Sequence, residues 1–360
     1  MRRIGILTSG GDCQALNATM RGVAKSLYNM LDDVEIIGFE DGYKGLMYAD
    51  YQIMKPADFS GILTQGGTIL GTSRQPFKQM RVPDENGLDK VEAMKHTYKK
   101  LKLSCLVVLG GNGSQKTANM LSEEGLNVVS LPKTIDNDLA ATDHTPGYGS
   151  AAKYIGSITK EVIRDGLVYD QQNVTILEIM GRNAGWLTGA AALAKCEDCE
   201  GPDMIFLPEV TFDVDEFMKK VAELHKKKKS VVVAVSEGVK TADGRYVCEL
   251  TDGIDFVDAF GHKQLTGTAR FLAEKINREV GCKTRAIEFN SLQRCASHIV
   301  SRVDITEAYQ VGGAAVKEAF EGETGKMIIL KRVSDDPYIC VTDIYDVHKI
   351  ANVEKKVPRN

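Results

Sequence analysis

The feature that most constrains the fold is an alternation of short β-rich runs with longer amphipathic stretches. Runs at residues 3–8 (RIGILT), 34–39 (VEIIGF), 105–109 (CLVVL), 174–179 (VTILEI), 204–207 (MIFL) and 231–235 (VVVAV) are separated by segments long enough to hold helices. A parallel strand returns to its sheet only through a long crossover, usually a helix, so the alternation predicts parallel α/β layers. After the Gly-rich stretch TPGYGS, the apolar residues Ala151, Tyr154, Ile155, Ile158 and Val162 recur at helical spacing. A chain of 360 residues exceeds what one core usually serves, so two domains are expected, with that stretch at the crossover. There is no internal repeat, low-complexity segment or long Pro/Ser linker, and two halves sharing a substrate-binding cleft are expected.

Charge and composition narrow the partners. The net charge is −4, with lysine and arginine nearly balancing aspartate and glutamate, so no broad basic field favours nucleic acid. The lysine run 226–229 ends an amphipathic pattern built on Val214, Phe217, Met218, Val221 and Leu224, and cations suit a helix C-terminus. The leading MRRIGILTSGG contains only a short apolar run, far below a signal-peptide core or a membrane span, so a cytoplasmic protein without a membrane partner is expected. Eight cysteines are spread along the chain, and reduced thiols are expected at this length. Cys196 and Cys199 form one CxxC with no second pair or nearby histidine to complete a zinc site, which predicts a reduced surface loop. The six histidines show no metal-ligand spacing, and Trp186 is expected to pack.

Phosphate chemistry is suggested by glycines placed after strand-like runs. Gly10 and Gly11 follow the first run, where backbone N–H groups and a helix dipole can converge on an anion; a steric need for glycine in a tight turn is the alternative. Gly110, Gly111, Asn112, Gly113 and Ser114 repeat that layout without the Gly-Lys-Ser/Thr of a P-loop or the dinucleotide glycine spacing. In GTSR, Thr72, Ser73 and Arg74 offer hydroxyls and a guanidinium suited to phosphate oxygens. PKTIDND places Asp136 and Asp138 two residues apart, beside Lys133 and Thr134. Such a pair can divide labour between proton acceptance and Mg2+, or can simply cap a loop.

In order and spacing, GGDCQALNA, GTSR, GGNGS, PKTIDND, EIMGRNAGW, SEG and TRAIEFNSLQR together resemble the phosphofructokinase family over nearly the whole chain. The resemblance implies an α/β fold of two Rossmann-like three-layer domains facing a shared cleft, assembled as a homotetramer. A phosphodonor domain would span 1–147 with roughly 293–345, and a sugar-phosphate domain 148–292 with the C-terminal tail. The implied reaction is Mg2+-dependent transfer from ATP to the C1 hydroxyl of fructose 6-phosphate. By the same resemblance Asp136 is the base, Asp138 and Asn112 serve the metal, and Arg74 and Arg182 lie near the transferring group. Thr134, Asp136, Met180, Gly181, Arg182, Glu237, Arg285 and Arg294 hold the sugar phosphate. Gly11, Tyr43, Arg74, Gly113, Ser114 and Lys133 form the donor site.

Four places depart from the family pattern. Asn112 stands where an aspartate is common, Gln14 and Ala15 replace a Pro-Gly pair, Asn173 replaces an arginine offered to the neighbouring subunit, and Ser291 replaces a histidine or tyrosine. In the family, Gly113 accompanies ATP, whereas Lys133 before TIDND is common among pyrophosphate users. The expectation is ATP, with a pyrophosphate-dependent phosphotransferase and a non-catalytic sugar-phosphate sensor as alternatives.

Overall fold

The computed structural model describes residues 1–250, 265–349 and 353–358. In chain order the regular elements begin with β1 (Arg2–Ser9), α1 (Leu16–Met30), β2 (Val34–Phe39), α2 (Tyr43–Tyr48) and β3 (Tyr51–Met54). Next come α3 (Lys90–Lys100), β4 (Cys105–Gly110), α4 (Asn112–Glu123), β5 (Val128–Pro132), α5 (Tyr148–Val168), β6 (Asn173–Ile179) and α6 (Trp186–Gly189). They are followed by β7 (Met204–Phe206), α7 (Val214–Lys227), β8 (Ser230–Ser236), α8 (Thr268–Val280) and β9 (Lys283–Glu288). The order continues through α9 (Leu292–Cys295), α10 (Arg302–Glu321), β10 (Lys326–Asp335) and β11 (Tyr338–Asp346). Two compact units result: Met1–Ser150 with Arg294–Glu354, and Ala151–Gln293 with Lys355–Asn360.

The first unit holds a seven-stranded sheet in the order β11-β10-β5-β4-β1-β2-β3. Its five central strands run parallel, while β3 and β11 are antiparallel edges. Alternate strand residues face opposite sides. Leu7, Ile37, Phe39, Leu106 and Val108 join one core cluster with Val91 and Met94 of α3 and Ala118 and Leu121 of α4. Their strand neighbours Ile6, Ile36, Val107 and Leu109 are also buried, toward the side covered by α1 and α10. Those helices cross almost backbone to backbone: a Cβ at Gly22 would lie 2.1 Å from the Tyr309 carbonyl oxygen, and one at Gly312 2.1 Å from that of Thr19.

The second unit has four parallel strands in the order β7-β8-β6-β9. Val174, Ile176, Val231, Val233 and Val235 pack with Phe217 and Val221 of α7 and Leu272 and Ile276 of α8. On the other face α5 approaches closely enough that a Cβ at Gly166 would meet the Ser230 hydroxyl at 2.3 Å. The lysine run does end a helix: α7 stops at Lys227, and Lys228 pairs with Asp203 at 2.7 Å. β3, β5, β9 and the β10–β11 hairpin lie outside the six runs picked out by sequence. Among the described residues no helix is long and apolar enough to cross a membrane.

Candidate active site

In the first unit the chain leaves β1 toward β2 and later returns to add β4 on the other side of β1. Such a reversal of strand order opens a crevice at the carboxyl ends of the two strands, where α/β sheets bind ligands. Ser9 lies opposite Gly110, so the two Gly-rich turns flank this point. Gly10 has φ +88°, a left-handed conformation that favours glycine. A Cβ on Gly110 would strike the Ser114 Cβ at 2.2 Å. α4 begins at Asn112 with no side-chain cap, so its leading N–H groups are not taken up by the residue before it. Gln115 donates to the carbonyls of Gly110 (2.9 Å) and Leu131 (3.1 Å), which fixes the ends of β4 and β5 relative to each other.

The GTSR loop is tied to the first turn. Thr72 donates to the Gly10 carbonyl (2.7 Å), Gly10 N–H reaches the Ser73 carbonyl (3.5 Å), and Ser73 donates to the Asp41 carbonyl (2.5 Å). These bonds bring the exposed Arg74 beside the Gly10–Gly11 turn. Tyr43 is not at the surface: it is 1% exposed, inside the core, and its hydroxyl donates to the Ser114 carbonyl at 2.9 Å. It acts on the second turn from beneath. A Cβ on Gly113 would meet nothing within 4 Å.

Lys133 is buried and donates to the Gly11 carbonyl. Burial pulls its pKa below the usual lysine value, against the opposing effect of Cys13, Asp12 and Asp136. Arg294 belongs to this group rather than to the second unit, since its Nη1 would lie 3.8 Å from a Cβ on Gly11. Asp12 was not singled out by sequence, although it directly follows the glycine pair. Its Oδ1 is buried without a hydrogen-bond partner, and burial raises its carboxyl pKa while Lys133, Arg294 and backbone N–H bonds pull it back.

The PKTIDND loop is held from both sides. Thr145 donates to the Thr134 carbonyl (2.7 Å), Gly147 bridges Thr134, and the Thr134 hydroxyl accepts from Asp136 N–H (3.1 Å). Asn137 takes φ +54°, making a sharp turn between Asp136 and Asp138. Below it, His144 lies between Asp143 (2.8 Å) and Glu307 (2.7 Å), and buried Asp304 accepts from Gly147 N–H (2.8 Å) and the Ser150 hydroxyl (2.5 Å). The two carboxylates beside His144 raise its pKa against the effect of burial. Among the described residues no three His, Cys, Asp or Glu side chains gather as a metal site. Mg2+ commonly takes only one or two protein oxygens and completes its shell with waters and phosphate. The buried Asn112 Oδ1, which lacks a hydrogen-bond partner, and the Asp138 carboxylate suit that minimal role.

In the second unit Met180, Gly181 and Arg182 leave the carboxyl end of β6, and Glu237 leaves that of β8. Gly181 N–H donates to Glu237 Oε1 (3.4 Å), Met180 N–H to Gln293 Oε1 (3.2 Å), and the Ser236 hydroxyl to the Gly181 carbonyl (2.8 Å). Gly238 lets the loops touch, since a Cβ there would lie 2.0 Å from the Arg182 carbonyl oxygen. Two residues before Met180, Glu178 is buried and accepts from Ala269 N–H (2.7 Å), and burial pushes its carboxyl up to about 7. Trp186 donates to the Lys355 carbonyl (2.9 Å), a packing contact.

Arg285 does not join Met180 and Glu237. It sits opposite Thr175, five residues and about 16 Å back along β6 from Met180. There it pairs with Asp165 (3.2 Å) and covers the Tyr169 ring (4.9 Å). Asn173 is buried and bonded to Gly166 (3.0 Å) and Ser230 (3.0 Å), so it offers nothing to a neighbour.

The phosphofructokinase family model matches residues 3–319. An ATP-dependent 6-phosphofructokinase of Spirochaeta thermophila is 39% identical, covering 92% of this chain and 87% of the relative. A pyrophosphate--fructose 6-phosphate 1-phosphotransferase of Xanthomonas campestris is 34% identical, covering 97% of this chain and 84% of the relative. The crystal structure of a pyrophosphate-dependent phosphofructokinase from Marinobacter aquaeolei superposes with a TM-score of 0.86 at 27% identity, covering 99% of this chain and 86% of that one.

Proposed function

The chain belongs to the phosphofructokinase family and is a phosphotransferase acting on fructose 6-phosphate, and we propose that its phosphodonor is ATP, giving fructose 1,6-bisphosphate in glycolysis. The observation that carries the donor reading is the pairing of open space at Gly113 with an inward-held Lys133. A nucleotide needs room beside its α-phosphate, and an ammonium bonded to a backbone carbonyl is not extended toward a pyrophosphate end. Relatives named for either donor resemble this chain at similar identity, so the donor is read from these two residues rather than from kinship.

The first unit serves as the donor domain and the second as the sugar-phosphate domain. Asp136 accepts the proton of the C1 hydroxyl, held in place by Thr134. Gly11, Gly113 and Ser114 present backbone and hydroxyl donors to the donor phosphates, Tyr43 positions Ser114 from below, and Lys133 supports the turn at Gly11. Arg74 and Arg182 stabilise the charge of the transferring group. Asn112 and Asp138 would hold Mg2+ through oxygen or its waters; when bound, the ion neutralises phosphate charge. Met180, Gly181 and Glu237 hold the sugar phosphate, while Arg294, set beside Gly11, adds positive charge to the phosphate-binding turn of the first unit. Arg285, displaced from Met180 and Glu237, serves the sugar site of a second copy in a homotetramer of the cytoplasm.

A coupled assay with Mg2+ and fructose 6-phosphate, comparing ATP with pyrophosphate, tests the reading. ATP-dependent product formation supports it. Greater kcat/KM with pyrophosphate assigns the other donor, and no product with either leaves a sugar-phosphate sensor.

A further inference from the structure

We propose that Cys196 and Cys199 form a reversible thiol–disulfide pair, a modification site outside the phosphotransferase machinery. Residues 196–199 make a tight turn in which the two cysteines face each other as an antiparallel bridge. Cys196 N–H donates to the Cys199 carbonyl (2.9 Å) and Cys199 N–H to that of Cys196 (3.2 Å). Residues exchanging both backbone bonds have Cα atoms about 5.5 Å apart and side chains on one face. A disulfide accepts Cα separations of about 4.4–6.8 Å, so the backbone already stands at bonding distance.

The two thiols differ in a way that divides the work. Cys196 is exposed, with the Lys160 ammonium 2.9 Å from its sulfur and the Asp198 carboxylate accepting from it at 3.0 Å. Cys199 is buried beside it. The exposed sulfur is the one a dissolved oxidant reaches first. Cys196 therefore meets the oxidant and Cys199 resolves the product.

With hydrogen peroxide as oxidant, the Cys196 thiolate attacks one peroxide oxygen and the O–O bond breaks. The departing hydroxide takes up the proton lost from the thiol, leaving Cys196 as a sulfenic acid and releasing water. The Cys199 sulfur then attacks the Cys196 sulfur. The S–O bond breaks, an S–S bond forms, and the hydroxide leaves with the Cys199 proton as a second water. Two thiols have given up two electrons, and the peroxide has become two waters. A small dithiol returns the electrons by exchange.

The test treats the folded full-length protein with hydrogen peroxide, blocks remaining thiols with N-ethylmaleimide and measures peptide masses. The expected result is that the peptide holding both cysteines resists alkylation and is lighter by two hydrogen atoms, that dithiothreitol reverses this, and that exposed Cys295 stays alkylatable. Cys199→Ser should leave a dimedone-reactive Cys196. Cys196 and Cys199 both remaining alkylatable while Cys295 is oxidised would overturn the proposal, as would a bond that forms only after denaturation.

Discussion

The Lys133 ammonium is bonded to the Gly11 carbonyl, so the lysine that precedes TIDND braces the turn after the first strand. Its charge is answered within the protein by Asp12 and Asp136. This contact separates the presence of a lysine in the motif from its availability to a ligand.

The donor assignment therefore turns on Gly113. A Cβ there meets no protein atom, so aspartate can be introduced without disturbing the fold. Gly113→Asp should lower kcat/KM for ATP by about a hundredfold or more, because its carboxylate faces the nucleotide's phosphates at short range. Pyrophosphate turnover should be spared. Steady-state kinetics with each donor check this, and an undiminished response to ATP would remove Gly113 from the donor site.

Asp136→Asn keeps the size of the side chain and removes its basicity. Turnover should fall by roughly a hundredfold or more, with fructose 6-phosphate binding retained by calorimetry. Near-normal turnover would remove Asp136 from the role of base.

Glu178 predicts a pH dependence of stability. Its carboxyl holds its proton more tightly in the folded protein, near 7, than in the unfolded chain, near 4.5. A raised acid pKa means that the folded state binds more protons across that window. Stability from this group is thus full below about 4.5, declines as pH rises toward 7 and is flat above it. Glu178→Gln retains an acceptor for Ala269 N–H and should abolish the decline, gaining up to about 3 kcal/mol at pH 8. Denaturant unfolding at pH 5 and pH 8 measures the difference; equal slopes with pH in both proteins would refute the assignment.

The α1–α10 crossing is equally specific. Gly312→Ala places a methyl group 2.1 Å from a backbone oxygen that cannot rotate away. The helices must separate, at a cost of about 1–3 kcal/mol or more. Thermal unfolding should show the loss, whereas alanine at the exposed, unobstructed Gly113 should leave stability unchanged within about 0.5 kcal/mol.

The parallel core was legible because buried central strands read as continuous apolar runs, as in CLVVL and VVVAV. β5 escaped notice because its five residues include Ser130 and end in Pro132. β9 interrupts its pattern with Lys283, Arg285 and Glu288, and in the β10–β11 hairpin the short apolar run at residues 327–330 gives way to largely exposed mixed residues. Glycines at strand ends were readable because backbone conformation demands them. Side-chain destinations were less so: Tyr43 turns inward, Arg294 joins Gly11, and Arg285 faces Asp165, none of which follows from spacing along the chain.

The position of Arg285 also has a genetic consequence. If it completes a neighbour's sugar site, then the base at any one site comes from one copy and this guanidinium from another. Two inactive proteins, Asp136→Asn and Arg285→Ala, would then each carry the half that the other lacks. Dissociated, mixed and reassembled, they should recover part of the wild-type rate, while either alone stays inactive on remixing with itself. Absence of any recovery in verified mixed assemblies would confine the working parts of each site to a single chain.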